Sequence, residues 1–180
     1  LHLSIRRQRQ MCIRDRAYAV LGAFQFSTAL RRRWPVWHRR AGRVLVALGL
    51  AVAFSAMYMT QFYARQPGTG PLSYVFRLAF GSGLAVSLVL GITAIRRRDV
   101  ARHRAWMARA YALALGAGTQ VFTLGIGAAV FGASELTYDL MLGTGWGINL
   151  AVAEYVIRRP RRRRAPARRN ARATTTVVSR

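Results

Sequence analysis

Residues 72–98 read LSYVFRLAFGSGLAVSLVLGITAIRRR, an apolar run closed by three arginines. A helix over Leu72–Ile95 rises about 1.5 Å per residue and so reaches about 36 Å, enough to cross a hydrocarbon core about 30 Å thick. The one charge inside it, Arg77, lies near an end, where its stem can carry the guanidinium to the interface. A helix on the surface of a water-soluble protein would carry a polar stripe. This run has none, and RRR marks where it leaves the apolar phase. The stretch therefore predicts a membrane span and an all-α, polytopic transmembrane bundle.

The same pattern recurs on both sides. Val44–Tyr63, Ala110–Phe131 and Leu136–Ile157 are each long enough to span, separated by the turn-rich ARQPGTGP and GASE. Ala17–Leu30, AYAVLGAFQFSTAL, extends only about 21 Å as a helix, short of the core thickness. The expectation is about five spans, the first one truncated, within a helical domain over residues 17–157. Small residues abound, and Gly143 and Gly147 form a GxxxG in the last span, a spacing that lets helices approach closely.

Charge supplies the orientation. The chain is 53% hydrophobic yet carries a formal charge of +24, and its 29 basic residues are all arginine, a bias that points to GC-rich coding and a bacterial source. Six arginines lie in Arg31–Arg43, six in Arg96–Arg109 and ten from Arg158 onward, whereas the opposite connections offer only Arg65 and the nearby Arg77. The positive-inside rule then puts the heavy segments and the C-terminus in the cytoplasm, the protein being a multi-pass component of a bacterial inner membrane. The N-terminus would lie outside, in conflict with five arginines in residues 1–16. That leader contains MCIRDR, which resembles a translated transposon end left by sequencing, and is expected to be non-native. Residues 158–180 are expected to form a disordered tail that meets anionic headgroups of the cytoplasmic leaflet. Nucleic acid is the weaker partner for such a tail, because it follows directly on a span.

The same inventory restricts the chemistry. Cys12 is the only cysteine, so a disulfide framework and a cysteine metal site are excluded. The five acids are Asp15, Asp99, Glu135, Asp139 and Glu154, which leaves few candidates for paired-carboxylate catalysis. No phosphate-binding glycine loop, nucleophile elbow or zinc-protease motif is present, so no catalytic residue is assigned and an enzyme is not expected.

Ionisable and amide groups at membrane depth are costly and mark functional positions. They gather toward the arginine-rich side: Gln25, His38, Arg43, His103, Arg109, Asn149 and Glu154. HRRAGRVLVALG from His38 and HRAWMARAYALALG from His103 echo one another, each a His-Arg pair, a further arginine and an apolar run. Two imidazoles at similar depth on two helices can hold one haem b iron axially, with Arg39 and Arg104 on the propionates. The plainer alternative makes them interfacial histidines that bind headgroups or cap helix ends. Glu154 can pair with Arg109 across the last hairpin or with Arg158 one turn on. Arg109, Asn149 and Glu154 also admit a small-solute transporter, and a third alternative is a structural subunit of a homo- or hetero-oligomeric membrane complex.

HRRAGRVLV at His38, IRRRDVARHRAWMARAYAL over Ile95–Leu113, NLAVAEYVIRR over Asn149–Arg159 and GAFQF with the following LRRRWPVWHRR together resemble the membrane protein family called domain of unknown function 2306. The resemblance runs from about Gly22 to Arg159. It implies a bacterial multi-span helical protein and makes Gln25, His38, Arg39, Arg43, His103, Arg104, Arg109, Asn149 and Glu154 the motif positions. It implies no particular activity. Members usually have a longer first span, so this chain departs from the family at its N-terminus.

Overall fold

In the computed structural model, residues 19–64 and 67–159 are described, and all of their regular structure is helical. Helix α1 covers residues 19–26, and Ser27 breaks it from α2, Thr28–Arg33, whose start it caps by accepting from the Leu30 N–H at 3.3 Å. Pro35 then opens α3, Pro35–Phe62, at a first-turn position where its missing N–H costs nothing. Pro71 opens α4, Pro71–Arg96, in the same way. After α4 the chain reverses through Arg98, a non-glycine residue at φ 61°. Asp99 caps α5, Val100–Ala114, by accepting from the Arg102 N–H at 2.9 Å. Next come α6, Gly116–Phe131, a left-handed Gly132 at φ 79°, and α7, Glu135–Arg158, capped by Ser134 through the Thr137 N–H.

Three helices, α3, α4 and α7, are long and apolar enough to cross a membrane, and α5 with α6 makes a fourth candidate bent by 44°. Before α3 the described chain is the pair α1 and α2, broken at Ser27 because the serine side chain takes over a backbone N–H there. The arginine-rich stretches before the second and fourth runs are not loops. Helix starts at Pro35 and at Val100 rather than near Val44 and Ala110, because the proline and the Asp99 cap set the first turn. The leader over residues 1–16 and nearly all of the arginine tail lie outside the described residues.

The bundle is organised about α4, which packs on α3, α5 and α7, while α6 packs on α7. Its centre is Ala53, Leu84, Ala85, Leu88, Ala110 and Leu113, with Phe80, Met107 and Trp146 against it. Helix α6 shows what surrounds the molecule. Its inward positions are Gly116, Gln120, Thr123 and Gly127, and its outward ones are Val121, Phe122, Ile126 and Val130. Polar groups inside and large apolar groups outside are the arrangement that hydrocarbon favours. Gln120 donates to the Leu142 carbonyl and Thr123 to the Met141 carbonyl, so the inward polar groups bind α7.

The fourth apolar run, continuous as a sequence, bends at Leu115. The Trp146 indole lies against Gly116, where a Cβ would collide with the ring, and its N–H donates to the Leu113 carbonyl at 3.2 Å. The bend thus has an identifiable cause: a side chain from α7 takes a carbonyl of the helix ladder beside a glycine.

Candidate functional site

Two groups of polar side chains form at the arginine-rich end, because α5 divides them. His103 and Arg109 are six residues apart on that helix, about 120° around it, so they face different neighbours.

His103 faces α4, and its Nδ1 lies 2.8 Å from the Gly91 carbonyl oxygen. A carbonyl only accepts, so Nδ1 carries a hydrogen, and in the neutral ring Nε2 is left with the lone pair. Gly91 is a glycine for space: a side chain there would run into Met107 and Trp106 of α5. His38 lies in the first turns of α3, half-buried, with His103, Arg31 and Arg39 within electrostatic reach. Helices α3 and α5 both pack on α4 rather than closely on each other, so the helices that carry the two histidines share α4 as a neighbour.

Helix α1 touches both α5 and α3 at this end. The Tyr111 hydroxyl donates to the Ala19 carbonyl at 2.7 Å, and its ring lies against Gly22 and 5.3 Å from the ring of Phe26. Gln25 then reaches toward Gly42, with Oε1 3.7 Å from where a Cβ would stand. Gly42 is one turn beyond His38 on the same face of α3. Both polar atoms of the Gln25 amide are shielded from solvent and have no hydrogen-bond partner. A buried amide costs about 1–3 kcal/mol for each unmade bond. Gln25 is therefore an open donor and acceptor beside the part of α3 that carries His38.

The second group faces α7. Arg109 Nε donates to Glu154 Oε1 at 2.5 Å, and Arg158 Nε reaches Oε2 at 3.3 Å. The Arg109 guanidinium also lies 4.6 Å over the ring of Trp106, a cation–π contact. One carboxylate thus takes both arginines, so Arg109 and Arg158 are joint rather than rival partners. One and a half turns deeper, Asn149 Oδ1 accepts from the Thr119 hydroxyl at 2.9 Å, while its Nδ2 is shielded and unpartnered.

Two expected contributors turn outward. Arg39 and Arg43 are exposed, and Arg43 Nε donates to the Arg39 carbonyl along the helix surface. Arg104 is half-buried and engaged. Arg31, near His38, is the cation that a reading of the HRR motif passes over. Sequence reasoning also passes over Gly91, Tyr111 and Trp146, whose roles depend on which helix lies opposite. Asp139 stands as one acid in an apolar run, yet its side chain is 1% exposed at the far end of α7 and accepts from the Gly70 N–H at 3.1 Å. Among the described residues no group of three metal-ligating side chains forms.

The family model described as "Predicted membrane protein (DUF2306)" matches residues 15–157, and the chain belongs to that family. No curated protein and no solved structure matches it.

Proposed function

We propose that the chain is a haem-binding, electron-carrying membrane protein, with a b-type haem held between α3 and α5 by His38 and His103. One observation carries the reading. The Gly91 carbonyl fixes the His103 ring through Nδ1 and leaves Nε2 for a metal, the way a backbone acceptor orients a ligand imidazole. His38 lies within electrostatic reach on α3, which packs on α4 as α5 does. Arg31 and Arg104 would supply cations for the propionates, and the unpartnered Gln25 amide would supply a donor. When bound, the haem would supply one-electron chemistry, and the chain's part is to ligate it, to shield it and to set its potential through burial and charge.

In this reading the protein is a multi-pass component of a bacterial inner membrane. The arginine-rich end, and with it the C-terminal tail, lies on the cytoplasmic side, where basic residues meet anionic lipid at about 1 kcal/mol each. A second reading, solute binding, has its own observation: the unpartnered Asn149 Nδ2 close to the bent α5–α6 span, the type of interrupted helix that lines transport sites. The ready-made ligand nitrogen of His103 favours haem.

The test is the absorption spectrum of full-length protein purified in detergent from haem-replete cells. The expected result is a Soret band, about one b-type haem per chain by haemochrome assay, and its loss in both His38→Ala and His103→Ala. Protein that is folded and free of haem under those conditions overturns the haem reading and leaves solute binding.

A further inference from the structure

At the arginine-poor end, a different residue has no anionic partner among the described residues. Arg77 lies six residues into α4, half-buried, and lines a small cavity with Met59, Thr60, Tyr63, Thr69 and Ser73, between the end of α3 and the start of α4. The cavity holds about 40 Å³ and is open on one side, several times the space one water needs. Arg77 makes no ion pair with any described residue. The carboxylates at that end are otherwise placed: Asp139 is buried against the Gly70 N–H, and Glu135 lies in the first turn of α7. An arginine inside a span is costly unless an anion meets it. None of the described residues provides one.

Depth says where that anion comes from. Helix α4 has 26 residues, about 39 Å, and exceeds a 30 Å core by about 9 Å in all. Arg77 begins about 9 Å from the start of α4, so with the overhang shared between its ends the Cα lies about 4–5 Å below the core boundary. The guanidinium can rise from there to the level of lipid phosphates along its own stem. Beside the cavity, Met59, Phe62 and Tyr63 of α3 turn outward at 56%, 72% and 67% exposure, a lipid-facing rail beneath the phosphate level.

We propose that this cavity is a binding site for a phosphate oxyanion, supplied by the headgroup of a phospholipid in the leaflet at the arginine-poor end. Arg77 holds the phosphate as a charge-assisted pair. The acyl chain runs down Met59, Phe62 and Tyr63. Phosphate charge and chain contribute together, so neither a neutral lipid nor a free phosphate ion is an adequate ligand.

Native mass spectrometry of the full-length, delipidated protein in detergent tests this with three probes at equal concentration: a phosphatidic acid, the diacylglycerol with the same chains, and inorganic phosphate. The expected result is a phosphatidic acid adduct that falls about tenfold in Arg77→Gln, the scale of one lost charge-assisted contact. Arg77→Lys, which keeps the charge, retains most of it. Equal adducts in wild type and a folded Arg77→Gln overturn the site. Equal binding of diacylglycerol overturns the role of the phosphate. Equal binding of inorganic phosphate overturns the lipid as its source. If Arg77→Gln does not fold, the wild-type contrast between phosphatidic acid and diacylglycerol decides.

Discussion

Two carboxylates on α7, fifteen positions apart, are treated in opposite ways. Glu154, at the arginine-rich end, is about 30% exposed and lies between Arg109 and Arg158. Asp139, at the other end, is 1% exposed, forms no ion pair with a described residue, and accepts the Gly70 N–H that begins α4. Glu154 is partly wetted, so its pairs are screened and modest. Asp139 has almost no water contact, so its one tie matters more, and the partial positive charge at the start of α4 stands in for a cation. A carboxylate in this fold is stabilised by what it replaces water with, not by how many cations surround it.

Three substitutions on this helix set the comparison out in order of size. The largest effect is expected for Asp139→Ala, which leaves the Gly70 N–H without an acceptor and opens a small void between α4 and α7. About 2–3 kcal/mol of stability should be lost. Thermal unfolding in detergent reads it, and Asp139→Asn, which keeps an acceptor oxygen, should lose clearly less. Equal melting of wild type and Asp139→Ala would break the distinction between the two ends. Glu154→Gln comes next, at about 1 kcal/mol, because Arg109 keeps its contact with the Trp106 ring when the carboxylate charge goes. Its cost should shrink as salt rises, which a melting series in sodium chloride would show. Arg158→Gln should be the smallest, about 0.3 kcal/mol, since that side chain is 81% exposed and the pair is one helical turn apart. A larger loss for Arg158→Gln than for Glu154→Gln would contradict the assignment of Arg109 as the main partner.

The candidate site was only partly readable along the chain. His38 and His103 stand out because each opens an apolar run with an arginine beside it, and Gln25 because an amide there must have a purpose. Their convergence was not readable, since it depends on α4 lying between α3 and α5 and on α1 folding over both. The expected single polar cluster divides in two, a consequence of the helical period between His103 and Arg109 together with the identity of the neighbours. The propionate candidate Arg39 points to solvent, because in an HRR sequence consecutive residues cannot share a face. Asp139 was visible as a letter but not as a cap, because its partner is a backbone N–H sixty-nine residues away.

By itself the sequence determined the membrane, the all-helical class and the gathering of arginine toward one end. These follow from the length of each apolar run against bilayer thickness and from arginine counts, both local properties of the chain. The tertiary structure alone decided the bend at Leu115, the tethered ring of His103 and the two fates of Glu154 and Asp139. Each of those turns on a carbonyl, an N–H or a charge presented by another helix, and no spacing along one helix specifies what its neighbour will present.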